Sequence, residues 1–346
     1  MNKKISKSAI DITIIEMLSK YNFDFYKDQV KAAWENGNRH YHNMDNHLYP
    51  MMNDMLNNIN TYEPDDRDIL LLSAIFHDIV YDPKSTTNEQ DSCDLFNSLD
   101  KTMPDHISEK INDVILSTIY TDDSKTFSHP NNVIRSFHNY DLKILTKSFD
   151  KLLIWEKQIQ KEYQHMNWSD YKYGRISVLR HLKYKVDNDT NFDLLINYVE
   201  HHRPRIGIYA GSFNPYHKGH KNIVSQAENM FDKVIVAKGL NTTKQIDPIV
   251  FKNSFNELKN MLPNEVDTYS GLLTDFIKKQ KDCDCFLVRG LRNSKDLEDE
   301  KFTRQFLIDI DNSVNVVYFL SDRDLRHISS SAIRSIQHLT DISEYL

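Results

Sequence analysis

Ile206-Gly207-Ile208-Tyr209-Ala210-Gly211-Ser212-Phe213-Asn214-Pro215-Tyr216-His217-Lys218-Gly219-His220 joins an apolar, strand-like run to a turn of small residues and then to a pair of histidines. A strand that delivers the chain into Gly211 and Ser212 lets the backbone approach a phosphate closely. A helix opening near His217 aims its unbonded N–H groups at the same spot. His220 falls one turn beyond His217, on the face that looks back at the turn. The stretch predicts a strand–turn–helix corner suited to phosphate, and so an α/β domain around it.

Outward from that corner the pattern persists in one direction and changes in the other. Toward the C-terminus, short β-type runs at Ile206–Ala210, Lys233–Ala237, Phe286–Val288 and Val314–Phe319 are separated by helical stretches, the grammar of a parallel sheet with crossover helices. Toward the N-terminus, from Asp11 to about Glu200, segments such as Ile69–Phe76 and Val114–Ile119 sit in amphipathic stretches without strand alternation, which predicts an all-α region. Between the two, Pro204 in Arg203-Pro204-Arg205 disfavours helix before it and cannot continue one itself. A chain of 346 residues is long enough for two cores, and the predicted domains are 1–203 and 204–346.

Composition narrows the function classes. Lys+Arg 43 against Asp+Glu 50 gives a net charge of −7, so no global basic field invites nucleic acid, and no nucleic-acid partner is expected. No run is long and apolar enough for a membrane span, and Met1–Lys7 carries lysines without the apolar core of a secretory signal. Cys93, Cys283 and Cys285 are too few for a disulfide framework or a four-cysteine zinc site. These features predict a cytoplasmic protein with no membrane partner. Cys283-Asp284-Cys285 runs into Phe286-Leu287-Val288 and reads as a strand entry.

Later segments give the corner a family context. The Gly211-Ser212-Phe213-Asn214-Pro215 turn with His217 and His220 resembles the signature of nucleotidyltransferases. Val288-Arg289-Gly290-Leu291-Arg292 followed by Asp296 and Glu300 resembles a block of the bacterial phosphopantetheine adenylyltransferases, as does Ile328-Ser329-Ser330-Ser331 with Arg334. With Gly271–Phe276 the similarity spans about Arg205 to Gln337, in the family's order. The resemblance implies a Rossmann-like parallel sheet and transfer of AMP from ATP, with Mg²⁺, to 4′-phosphopantetheine, giving dephospho-coenzyme A and pyrophosphate. It implies that Ser212 touches both substrates and that His220 steadies the phosphates and the transition state. Lys244 and Arg289 would bind the acceptor, with Leu273 contributing backbone. Phe213, His217, Gly290, Leu291, Arg292, Glu300, Ser329, Ser330 and Ser331 would line the ATP site, and Lys244 and Arg292 would join His220 in catalysis. Another phosphorylated small molecule such as nicotinamide mononucleotide is the alternative acceptor, and a homo-oligomer is compatible with the resemblance.

The helical half carries its own chemistry. Arg39-His40-Tyr41-His42-Asn43 with His47 is followed about thirty residues on by His77-Asp78 and Asp82, then Asn88-Glu89. A distant histidine, an adjacent His–Asp pair and a later aspartate supply mixed nitrogen and oxygen ligands for one divalent ion. The favoured set is His47, His77, Asp78 and Asp141, with Mn, Fe, Co or Ni as the metal. These patterns, with Lys161-Glu162-Tyr163 and Arg175, resemble a family of HD-domain metal-dependent phosphohydrolases over most of residues 10–200. One departure lies at Thr118-Ile119-Tyr120-Thr121, where the family's pattern ends in histidine. The resemblance implies hydrolysis of a phosphate ester or nucleotide; the alternative is a nucleotide-sensing or scaffold module without turnover. His40 and His42 are open between supporting a ligand and touching substrate.

Overall fold

The computed structural model describes residues 4–119, 132–185, 188–240 and 247–346. They fall into two compact units, Met1–Tyr163 with Arg175–Tyr198, and Gln164–Gly174 with Val199–Leu346.

Among its described residues the first unit has helices and no strand. Its helices are α1 (Lys7–Lys20), α2 (Lys27–Trp34), α3 (Tyr49–Asn58), α4 (Pro64–Phe76), α5 (Asn88–Ser98), α6 (Asp105–Leu116), α7 (Asn132–Asp141) and α8 (Phe149–Glu162), followed by α9 (Trp168–Lys183) and α10 (Asp189–His201) near the division. Helix α4 starts with Pro64 in its first turn beside Asp65 and Asp66, residues that suit a helix N-terminus. From Asp68 to Phe76 every residue is buried, the mark of a central helix, and α4 packs against α1, α3, α5, α6 and α7. Asp68 is the exception to its apolar surface, and it accepts hydrogen bonds from Tyr21 Oη and Lys20 Nζ at 2.5 Å each. A π-helical turn, Met44–Leu48, precedes α3 and carries His47. Such turns recur where a functional side chain must be re-aimed.

The second unit is built on a five-stranded, all-parallel sheet of order β3-β2-β1-β4-β5. Its elements are β1 (Arg205–Gly211), α11 (Lys218–Glu228), β2 (Lys233–Leu240), α12 (Pro248–Met261), β3 (Glu265–Ser270), α13 (Leu273–Lys279), β4 (Asp284–Leu291), α14 (Ser294–Ile310), β5 (Asn315–Leu320) and α15 (Ser330–Ile336). In the central strands Tyr209 stands level with Val236 on one side and Val288 on the other. The buried stretches 206–210 of β1 and 234–237 of β2 are apolar, as expected for parallel strands covered on both faces, and buried lysines Lys233 and Lys238 flank the β2 stretch. β3 was not among the predicted strands. Its alternating Glu265 and Asp267 mask it, and as an edge strand it pairs only with β2. The buried Lys233 ammonium bonds Glu265 at 3.1 Å and the carbonyls of Gln164 and Met166, which explains how the Gln164–Gly174 segment belongs to this unit.

Candidate functional site

In the second unit β1 lies between β2 and β4, where strand order reverses, so a crevice opens at the carboxyl ends of these strands. The chain leaves β1 through Gly211, where a Cβ would stand 3.0 Å from the Phe213 ring. Phe213 itself has a φ of 45°. Its ring turns into the core and meets His220 edge-on, centroids 5.1 Å apart. Two cations and a hydroxyl hold the turn in place. Lys238, buried at the end of β2, donates to the carbonyls of Ser212 (2.7 Å) and Phe213 (3.3 Å). Arg334 donates to the Asn214 carbonyl and Ser330 Oγ to that of Pro215 at 3.0 Å.

His217 is the N-cap of α11, and its backbone N–H donates to His220 Nδ1 at 3.3 Å. With Nδ1 occupied as an acceptor, the ring proton of neutral His220 resides on Nε2. The two imidazoles stack, centroids 3.6 Å apart. Burial, then His217, Arg292 and Lys238, hold His220 down at about 3. Burial and Arg292 hold His217 at about 4. Both rings are therefore neutral at pH 7 and present hydrogen-bonding groups without charge.

The end of β4 closes the other side. A Cβ on Gly290 would meet Ile223 at 2.9 Å, so only glycine lets this strand approach α11. The resulting cleft, of about 480 Å³, is lined by Ser212, His217, His220, Gly290, Arg292, Glu300, Ser329, Ser330 and Ser331, and also by Tyr209, Asp296, Asp299 and Arg334. Asp296 grips Arg292 through the Arg292 backbone N–H (2.9 Å), Nε (2.9 Å) and Nη2 (3.0 Å). That fork keeps the Asp296 carboxyl below its usual range and points to a guanidinium held ready on the cleft wall. Ser329 Oγ caps α15 by accepting from the Ala332 N–H at 3.1 Å.

Other residues singled out from the sequence lie off that wall. Arg289 pairs with Glu300 at 3.4 Å and donates to the Ala210 carbonyl at 3.3 Å. Leu291 is buried packing. Leu273 is the first residue of α13, just beyond β3. Lys244 falls outside the described residues, as do Tyr120 and Thr121. Lys238, which braces the turn, carried no sequence signal of its own, since a lysine closing a strand is commonplace on surfaces; Asp296 stood in the quoted block, but its grip on Arg292 is seen only in the fold.

The first unit brings together the four residues chosen as ligands. His47 Nε2 and His77 Nε2 face one another at 3.0 Å. Asp141 Oδ1 lies 3.1 Å from His47, and Asp78 Oδ2 lies 3.1 Å from His77. The other two His–Asp distances are 3.6 and 3.7 Å. His77 Nδ1 donates to the Ala74 carbonyl at 3.0 Å and His47 Nδ1 lies 3.2 Å from Tyr41 Oη, arrangements that leave both Nε2 atoms for an ion. Burial disfavours charge here, but the neighbouring carboxylates outweigh it and hold His77 up at about 9. Asp78 and Asp141 are correspondingly held low despite burial. Two opposed nitrogens and two carboxylates at these distances require a shared proton or a cation among them, and the donor set suits a transition metal.

A buried brace sets this geometry. Arg39 donates to the carbonyls of Asp78 (2.7 Å) and Ile79 (2.9 Å), clamping the turn after α4. Glu162 Oε1 accepts the backbone N–H groups of His40, Tyr41 and His42 at 2.8, 2.6 and 2.9 Å. Its Oε2 takes His42 Nδ1 and Tyr81 Oη at 2.8 Å each. Burial opposes that charge, yet His42 and these donors hold Glu162 at about 2. His42 thus supports the loop that presents His47. The Arg-x-Tyr-His-Asn pattern signalled part of this brace, while Glu162 could be linked to it only through the fold.

Comparison with known proteins reaches the second unit. Residues 208–336 match the cytidylyltransferase-like family. A phosphopantetheine adenylyltransferase of Mycoplasma capricolum is 40% identical over 136 residues, 38% of this chain and 96% of that protein. Those of Christiangramia forsetii and Cytophaga hutchinsonii are 36% identical over 135 residues (38% and 87%) and 37% identical over 149 residues (41% and 96%).

Proposed function

The chain belongs, through its α/β unit, to the phosphopantetheine adenylyltransferase family, and from that premise we propose that it transfers AMP from Mg–ATP to 4′-phosphopantetheine while its helical unit hydrolyses a phosphate ester. For the transfer, the observation that carries most weight is His220: a neutral ring with Nδ1 occupied and Nε2–H left for the cleft, at the reversal of strand order. An acceptor phosphate oxygen attacks the α-phosphorus in line and pyrophosphate departs, a reaction that needs positioning and charge stabilisation rather than a covalent nucleophile. His220 Nε2–H bonds an oxygen on which charge develops. Ser212 and the α11 N-terminus bind phosphate, Arg292 and the serines of Ser329–Ser331 hold the triphosphate, and Arg289 and Lys244 take the acceptor. The test is incubation of the protein with ATP and a panel of phosphorylated acceptors, nicotinamide mononucleotide included, with products identified by mass. Preferential formation of another adenylylated product would overturn the acceptor assignment.

For the helical unit the carrying observation is the convergence of His47, His77, Asp78 and Asp141, which supports an HD-type phosphohydrolase. An ion held by these four would polarise a phosphoryl group and lower the pKa of water for attack. The protein's part is to fix the ligands through Ala74, Tyr41, Arg39 and Glu162. Elemental analysis of purified protein, with hydrolysis assayed over a phosphate-ester panel, tests this reading. A metal-loaded protein without hydrolysis would favour a sensor.

A further inference from the structure

The helical unit contains a cavity of about 310 Å³ that includes His47 and Asp141 in its lining and extends over residues with no role in holding an ion. Met51, Ile144 and Ile154 give it apolar wall, and Lys143, Lys147 and Lys151 give it cations. Lys143 is paired with Asp54 at 3.0 Å. Lys147 and Lys151 are exposed and have no ion pair among the described residues. Lys151, Ile154, Trp155 and Gln158 fall at helical spacing along one side of α8, and all four line the cavity.

Trp155 ties the two regions together. Its ring lies 6.1 Å from that of Tyr41, which in turn lies 5.0 Å from that of His47. Lys151 stands one helical turn away from Trp155, about 6 Å along the axis. The indole is only 5% exposed, and its Nε1–H has no hydrogen-bond partner among the described residues. The cavity that His47 and Asp141 line therefore also offers an apolar wall and, beyond it, the ammonium groups of Lys147 and Lys151.

We propose that the helical unit's substrate is a compact organic phosphate with a second anionic group, bound by Lys147 and Lys151 while the first phosphoryl group lies at His47, His77, Asp78 and Asp141. The cavity is at the small end of ligand sites. It suits a skeleton of sugar size, placed against Met51, Ile144 and Trp155, and is too small for a dinucleotide. This inference rests on the metal-site reading above.

The test is calorimetric titration of the full-length, Mn²⁺-loaded protein with fructose 1,6-bisphosphate and with glucose 6-phosphate, repeated without metal. The wild type should bind the bisphosphate at least about tenfold more tightly than the monophosphate, equivalent to about 1.4 kcal/mol. In Lys147→Ala/Lys151→Ala the preference should fall to within about threefold, with Mn²⁺ content unchanged, and Lys147→Arg/Lys151→Arg should restore it. Equal affinities in the wild type, or a preference that survives the alanine pair and so arises in the other unit, would overturn the proposal. A protein that takes up no Mn²⁺ refutes the metal reading instead. The metal-free titrations then still decide the lysines, by whether the preference depends on them.

Discussion

Replacing His220 with alanine tests the adenylyl-transfer site most directly. The ring supplies one neutral N–H, because Nδ1 is occupied by the His217 backbone N–H at 3.3 Å and burial with Arg292 and Lys238 nearby holds its pKa at about 3. One preorganised donor of this kind contributes about 2.7–4 kcal/mol to a transition state. His220→Ala should thus lower kcat for dephospho-coenzyme A formation by about two to three orders of magnitude, with the KM for ATP changed far less. Circular dichroism on the same sample separates this from misfolding, since the ring also packs against Phe213 and Tyr216. The charge state gives a second readout. A ring that is neutral throughout the working range contributes no ionisation to kcat/KM near neutrality, and histidine ¹⁵N spectra should show the Nε2–H tautomer. Activity within about fivefold of wild type, or a rate falling as pH rises through 6–7 with protonated His220 in the spectra, would refute the reasoning.

Arg289→Ala should raise the KM for phosphopantetheine by about tenfold or more, from loss of a charge-assisted contact of about 1.5–3 kcal/mol, and leave the KM for ATP within about threefold; the reverse pattern would move Arg289 to the nucleotide side. Asp78→Ala should abolish Mn²⁺ retention and phosphate-ester hydrolysis while adenylyl transfer with Mg²⁺ continues, and equal metal in variant and wild type would remove Asp78 from the ligand set. Glu162→Gln keeps the shape but sets an amide N–H₂ against donors at one end. Urea unfolding should show a loss of about 3–5 kcal/mol in the helical unit, and a change under 1 kcal/mol would show that the brace is dispensable. Because Glu162 is held at about 2 in the fold, against an unperturbed value of about 4.3, its stabilisation is present above the unfolded pKa and is lost as pH falls toward 2. The variant should lack that acid limb.

The strand–turn–helix corner was legible because it depends on local chemistry. Gly211 tolerates the close Phe213 ring, Gly290 admits Ile223, and His217 and His220 meet through helical spacing alone. That His47, His77, Asp78 and Asp141 come together was legible because two histidines and two aspartates in that order suit one shared site. What the sequence hid was long-range and compensatory. Strand β3 looks like surface until Lys233 neutralises Glu265. Glu162 is one acid among many until the fold brings three backbone N–H groups, His42 and Tyr81 onto its two oxygens. Arg289 and Arg292 were both read as ligand contacts, and only the fold separates them: Arg289 is not in the cleft lining and pairs with the lining residue Glu300, whereas Arg292 is in the lining and is fixed there by Asp296.

The same residue type serves opposite ends in the two units, and surroundings decide which. His77 is buried among carboxylates and is held up at about 9; His220 is enclosed beside His217, Arg292 and Lys238 and is held down at about 3. A site that concentrates negative charge favours a cation, and the electrostatics that raise the pKa of His77 in the absence of metal also favour a divalent ion in the proton's place. A site that concentrates positive charge favours an anion, and a histidine there is useful when neutral, because it adds a directed N–H without competing for the counter-charge that the arginines already supply. The direction of each shift thus follows the charge of what each site is proposed to bind, a metal ion in one unit and a triphosphate in the other.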